Sequence, residues 1–261
     1  MPIVTLTTDF GLADHFVGVM KGVILGIAPD ATIIDISHMI APFETTEGAF
    51  VIAEAYRHFP KKTVHVVVVD PGVGTARRPI LVEAAGQYLL GPDNGVLSMV
   101  YQREPSKVRE ISNDKLFRET VSATFHGRDI FSPVAARLAA GKITPARVGP
   151  LVDDYLRTRL DQPERTGTRC WAGVVLKVDR FGNLITNFHV DRFPLVRTRP
   201  IVLIPGVARV ERLIRNYAEG EPNEAAAIIG SSGYVEVVVN QSSAAKLLGC
   251  VAGSPVELSI Y

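Results

Sequence analysis

Asp70 and Arg77 lie in the stretch Val66–Arg78, VVVVDPGVGTARR. Asp70 falls at the carboxyl end of the Val run, the rim where open α/β sheets bind ligands, and Arg77 follows it across a Pro-Gly turn. Three further polar clusters sit where apolar runs stop: Asp9 with Asp14, His126 with Arg128 and Asp129, and Asp179 with Asn183 in DRFGN. Each has an ordinary structural reading when taken singly. Asp-Pro-Gly is common turn chemistry, Asp9 can cap the helix after it, and a lone histidine is often a satisfied polar residue. Together they have a second reading. Acids at the carboxyl ends of parallel strands converge on one rim, where open α/β sheets bind ligands.

The elements needed for that convergence follow from periodicity. The Val run up to Val69 is continuous and bounded by turn residues, as expected of a strand buried on both faces. Residues 2–7 and 32–36 read as two more strands. Between them, Phe16, Val19, Met20, Val23, Ile24 and Ile27 recur at helical spacing. Residues 42–59 read as a second helix with Thr45 as N-cap. Strand–helix–strand–helix–strand implies a parallel sheet with right-handed crossovers. Residues 80–90 read as two short strands around Ala85-Gly86. Ser132-Pro133 and Gly141 bracket another helix. The expected organisation is an N-terminal three-layer α/β domain over 1–155 and a linker over 156–167. A smaller C-terminal antiparallel, barrel-like β domain over 168–261 follows, with strands at 172–178, 184–188, 200–204, 225–229, 233–239 and 255–260.

Composition excludes several classes. The chain has 261 residues, 47% hydrophobic and 21% charged, with a net charge of +1. That balance, without a basic cluster, argues against a nucleic-acid partner. The apolar runs are too short to span a bilayer. The chain enters a strand pattern directly, with no basic leader, so a cytoplasmic protein is expected. Cys170 and Cys250 lack the spacing of a zinc site or disulfide framework, and both thiols are expected to be buried or inert.

The motifs together resemble one family. TTDFG at 7–11, VDPGVGTAR at 69–77, GPDNG at 91–95, TFHGRDIF at 124–131 and DRFGNLITN at 179–187 look like those of the adenosine-forming S-adenosylmethionine hydrolases. These are the S-adenosylmethionine hydroxide adenosyltransferases, or DUF62 family, related to the fluorinases and chlorinases. The resemblance covers nearly the whole chain. It implies hydrolysis of S-adenosyl-L-methionine to adenosine and L-methionine by attack of activated water on the ribose C5′, without metal or cofactor. It implies Asp70, Arg77 and His126 as the catalytic set around the water. Substrate contacts carried over are Asp9 on the ribose hydroxyls, with Asp14, Phe43 and Phe125 around the pocket. Asp179 falls on the methionine amino group, Asn183 on the adenine edge, Phe181 and Tyr217 at base-stacking or pocket positions, and Ser231 and Ser232 on the methionine carboxylate. Two positions depart from the relatives: Ser232 stands where an arginine is usual, and Ile185 where the halogenases have tryptophan.

The same residues separate water from halide as nucleophile. In the halogenases, uncharged hydroxyl aromatics match Asp70 and His126, serine matches Gly127, and a long insertion follows this region that the compact Ile80–Leu90 lacks. A carboxylate about 4 Å from a halide in a partly buried site would repel it by several kcal/mol. The resemblance further implies a homotrimer with each site at a subunit interface. Two other readings stay open from residues alone. One is a metal-dependent nucleoside hydrolase with Asp9, Asp14 and Asp129 as oxygen ligands. The other is an adenosine- or S-adenosylmethionine-binding protein without chemistry.

Overall fold

The computed structural model describes residues 1–159 and 162–261. Residues 160 and 161, inside the expected linker, lie outside the described residues. The chain divides into two compact units, Met1–Thr158 and Arg159–Tyr261.

The N-terminal unit is built on strands β1 (Ile3–Thr8), β2 (Thr32–Ser37), β3 (Val64–Val68), β4 (Pro79–Ala84), β5 (Gln87–Pro92) and β6 (Ser106–Glu110). Their order is β2-β1-β3-β5-β4-β6. β2, β1, β3 and β5 run parallel, and β4 is antiparallel to both β5 and β6. Helices α1 (Phe16–Ile27), α2 (Thr45–Ala55), α3 (Ser98–Arg103) and α4 (Ser132–Ala139) cover the sheet. Every residue of β3 is buried, as a central parallel strand requires. Val64, Val66 and Val68 share a core cluster with Met20 and Ile24 of α1 and with Val134 and Leu138 of α4. Side chains alternate across a strand, so His65 faces the other layer, where the rings of Tyr56 and Phe59 meet it. This gives the three layers. Thr45 is the first residue of α2 rather than its cap; Glu44 precedes it and no side chain closes the helix end.

The C-terminal unit holds β7 (Glu164–Arg165), β8 (Cys170–Val178), β9 (Leu184–His189), β10 (Ile201–Pro205), β11 (Leu213–Ile214), β12 (Ala225–Ile229), β13 (Tyr234–Val239) and β14 (Pro255–Ile260), with the short helix α5 (Ala244–Leu248). The order is β10-β14-β8-β9-β13-β12-β11, with β7 added beside β8. The pairs are antiparallel apart from β11 with β12, and the sheet wraps its own core of Val175, Leu184, Phe188, Val235, Val237 and Leu258. Cys250 is buried, but Cys170 is exposed at the start of β8; a strand end leaves its first side chain uncovered. Among the described residues no helix is long and apolar enough to cross a membrane.

Candidate active site

The register between β1 and β3 pairs Thr8 with Val68. The two strands therefore end together, and the next residues, Asp9 and Val69-Asp70, leave the sheet at the same rim. The turn after Asp70 is short: Val73 N–H donates to Asp70 C=O and Thr75 N–H to Gly72 C=O. It folds Arg77 back onto Asp70. Arg77 grips the carboxylate with both ends of its fork, Nε to Oδ1 at 3.0 Å and Nη2 to Oδ2. Bidentate pairing of this kind fixes geometry as well as charge.

His126 reaches the pair from a distant loop. A π turn, Gly127–Phe131, begins immediately after it and leads into α4; such turns recur at functional sites. Arg77 Nη2 donates to His126 Nδ1 at 2.7 Å. A guanidinium only donates, so Nδ1 is the acceptor and the neutral ring carries its proton on Nε2. Burial, reinforced by the charge of Arg77, pulls the His126 pKa below its usual value against the opposing pull of Asp70 and Asp129. The ring is neutral at pH 7. Arg77 Nη1 is buried and makes no hydrogen bond.

Gly74 allows the two loops to meet. Its φ is +78°, and a β-carbon there would lie 2.2 Å from the Ala123 carbonyl oxygen. Only glycine combines that conformation with that approach. Gly127 is less tightly confined: a β-carbon there would meet Met20 Sδ at 3.2 Å.

The remaining N-terminal residues are placed as follows. Asp9 Oδ2 accepts the Phe43 N–H at 2.9 Å, and Phe43 holds a φ of +70° with its ring exposed. Asp14 is exposed at the entry to α1. The Phe125 ring is buried among Phe10 and Phe16, with centroids 6.0 and 5.2 Å away; this contact links the loop of Asp9 to that of His126. Asp129 is fully buried and taken up by Arg128, at 2.7 and 2.9 Å, and by the Ser122 N–H at 2.9 Å. It is a poor candidate for the cation ligand that the nucleoside-hydrolase reading needs. Among the described residues, no group of three or more His, Cys, Asp or Glu could hold a metal ion.

In the C-terminal unit, Phe181, Asn183 and Tyr217 line one cavity of about 520 Å³ together with Asn240 and Ser243. Gly182 permits its floor: φ is +88° and a β-carbon would lie 2.1 Å from Ser243 Oγ. Asp179 organises the turn beneath. Its Oδ1 accepts the N–H groups of Phe181 and Asn183, each at 2.9 Å, and its Oδ2 accepts Asn183 Nδ2 at 2.8 Å. Ser231 lines a second hollow of about 510 Å³ with Gly230, Arg197 and Arg215. Ser232 lies beside it, its C=O accepting His189 Nε2 at 3.0 Å. Sequence reasoning missed Glu236, a nearly buried acid on β13 whose pKa is raised to about 7, first by burial and then by Asp179. Its sequence context, YVEVVV, gave no signal, because an acid in an alternating strand reads as solvent-facing.

Comparison with known proteins identifies the family. The "SAM hydroxide adenosyltransferase N-terminal domain" model matches residues 4–149 and the corresponding C-terminal domain model matches 173–257. The chain is similar to a protein of Salinispora tropica named (R)-S-adenosyl-L-methionine hydrolase, 39% identical over 99% of this chain and 98% of that one. A fluorinase of Nocardia brasiliensis is 29% identical over 99% of this chain and 97% of its own. The crystal structure of an uncharacterized conserved protein from Thermotoga maritima superposes with a TM-score of 0.89 at 36% identity, covering 98% of this chain and 99% of that one. With both family domains matched in order along the chain, the chain belongs to the SAM hydroxide adenosyltransferase family.

Proposed function

We propose that this protein hydrolyses S-adenosyl-L-methionine to adenosine and L-methionine, with water attacking the ribose C5′ and methionine sulfur leaving. The observation that carries the reading is Arg77 holding Asp70 and His126 at once. The sulfonium departs as a neutral thioether, so the chemistry calls for no acid at the leaving group and no cofactor. Catalysis rests on the weak nucleophile. Arg77 Nη1 and the Nε2–H of His126 are donors left over for the attacking oxygen. With His126 Nδ1 taken by Arg77, the Asp70 carboxylate is the acceptor left in the trio, and it receives the water proton. Holding the oxygen in line behind the carbon–sulfur bond supplies much of the rate.

Asp9 is read as the ribose acid, its second oxygen free of the Phe43 N–H, with Asp14, Phe43 and Phe125 around it. The cavity of Phe181, Asn183 and Tyr217 has ample room for an adenine ring and is lined by two aromatic rings and by side-chain amides. Ser231 and Ser232 are read at the carboxylate end. The relatives' printed name also brings a stereochemical expectation: L- already fixes the α-carbon, so (R) describes the sulfonium, and the (R) epimer is the substrate expected here.

The ribose acid and the adenine cavity belong to different units. We therefore read the functional form as a homotrimer in which the N-terminal unit of one subunit and the C-terminal unit of its neighbour share a site. Leu12, Met39 and Phe43 support this: all three are exposed, apolar and set in loops at the rim beyond β1 and β2, as expected of a surface with a partner. A cytoplasmic location is consistent with a substrate and products that are small metabolites. The test is product analysis. Purified protein incubated with S-adenosylmethionine should release adenosine and methionine in equal amounts, and release of free adenine instead would favour a nucleoside hydrolase.

A further inference from the structure

His38 is a buried histidine that the proposed chemistry does not use. It follows the last residue of β2 and is 4% exposed. Beside it is Thr8, the fully buried end of β1. Nε2 of the ring lies 3.1 Å from Asp35 Oδ1, off the line of a hydrogen bond, and Lys21 Nζ donates to Oδ2 of the same carboxylate at 2.6 Å. A carboxylate beside Nε2 keeps the proton of the neutral ring there, so Nδ1 is left as an acceptor. Thr8 Oγ1 donates to it at 2.8 Å and in turn accepts the Phe10 N–H at 3.2 Å.

This chain of donors ends on the loop that carries Asp9. The backbone of His38 adds a second tie, its C=O accepting the Gly11 N–H at 2.8 Å. One residue therefore grips the loop before Asp9, through Thr8, and after it, through Gly11. The segment that His38 begins returns to the same acid, where the Phe43 N–H donates to Asp9 Oδ2 at 2.9 Å. Ala41 N–H, bonded to Glu47 Oε2 at 3.0 Å, fixes that segment to α2. Strand pairing does not need these ties. The β1–β2 ladder already runs from Ile3–Thr32 to Thr7–Ser37, and His38 acts beyond its last rung, at the rim. There the hydrogen bonds behind a site residue decide whether it is held to within about 0.5 Å of its working position.

We infer that His38 is a positioning residue for ribose recognition. Through Thr8 and through its own carbonyl it holds Asp9 where the carboxylate accepts the 2′- and 3′-hydroxyls. The inference rests on the reading of Asp9 as the ribose acid. Asp70, Arg77 and His126 are bonded among themselves, so the contribution of His38 falls on affinity for the diol rather than on the water at C5′.

Thr8→Val tests this, because it keeps the shape of the side chain and removes the hydroxyl through which the ring acts. His38→Leu removes the acceptor, and Thr8→Ser restores the hydroxyl. Calorimetry with adenosine and with 2′,3′-dideoxyadenosine, which lacks the diol, separates positioning from general damage. Thr8→Val and His38→Leu should weaken adenosine about five- to a hundredfold and dideoxyadenosine less than about twofold. Thr8→Ser should bind adenosine within about threefold of the parent. With S-adenosylmethionine, KM should rise in step with the adenosine Kd, and kcat should fall by a smaller factor. If His38→Leu does not fold, the isosteric Thr8→Val decides. Equal adenosine affinity in the parent and Thr8→Val, or equal losses for the two nucleosides, would overturn the inference and leave the hydrolase reading standing. A parent that bound both nucleosides equally would remove Asp9 as the ribose acid, and this role of His38 with it. A parent that bound adenosine through the diol and did not turn over S-adenosylmethionine would end the hydrolase reading, and the titrations would still decide the role of His38.

Discussion

Arg77 donates from Nη2 to Nδ1 of His126 across 2.7 Å while its fork also closes on Asp70, joining residues 49 apart in the chain. The bond assigns roles within the trio. The histidine nitrogen facing the guanidinium cannot take a proton from water without losing that bond, so in the proposed reaction Asp70 is read as the base and His126 as a donor.

Asp70→Asn should therefore lower kcat by about 10²–10⁴-fold, the range for a lost general base, with KM changed far less. His126→Gln, which keeps a donor, should cost only about tenfold. Steady-state kinetics on the two variants decide the assignment, and the reverse ranking would make His126 the base.

Protonating His126 places a hydrogen on Nδ1, against Arg77. Its pKa is held below the ordinary value by burial and by the Arg77 charge. The kcat profile should thus be flat from neutral pH downward and fall only below about 6.5, the usual histidine value. A limb centred above pH 7 that disappears in His126→Gln would contradict this.

Gly74→Ala should separate the loops that bring the trio together. Its β-carbon would lie 2.2 Å from the Ala123 oxygen, in a backbone conformation that costs a non-glycine residue about 1 kcal/mol or more. The expected result is at least a tenfold loss of kcat, with a melting temperature lowered by only a few degrees, because the site loop rather than the core must move. Unchanged kcat would show that loop contact is unnecessary.

Stability should carry the mark of His65. Its ring lies between Thr5 Oγ1 at 2.7 Å and Gln87 Oε1 at 2.6 Å, fully buried, and burial lowers its pKa from 6.5 to about 4. The unfolded chain binds the proton more readily than the folded one. The contribution is therefore complete above pH 6.5 and is lost as pH falls from 6.5 through about 4. The loss amounts to about 3 kcal/mol for a shift of this size. Urea unfolding of the parent and of His65→Gln at pH 7 and pH 4.5 measures it. The parent should lose more stability on acidification than the variant, and parallel losses would remove His65 from the account.

Much of this architecture is legible in the residues. The unbroken Val run could only be a strand covered on both faces, and Ala85-Gly86 between apolar segments could only be a tight hairpin; both follow from local chemistry. The Asp70–Arg77 pair is likewise local, since Pro71 and Gly72 turn the chain back. β6 was not legible, because SKVRE is a polar strand held by its neighbour β4 rather than by its own pattern. Nor was Glu236, whose burial comes from packing over Gly230. Phe125 looks like a pocket ring in sequence, and the structure packs it against Phe10 and Phe16; three aromatics scattered along the chain do not announce that they meet.

Incubation in ¹⁸O-labelled water tests the central claim most directly: a solvent oxygen, held by Arg77 and His126 and deprotonated by Asp70, displaces methionine from C5′. Mass spectrometry should find one labelled oxygen in the 5′-hydroxyl of adenosine and none in methionine. Adenosine without label, or label on a ribose released from adenine, would contradict it.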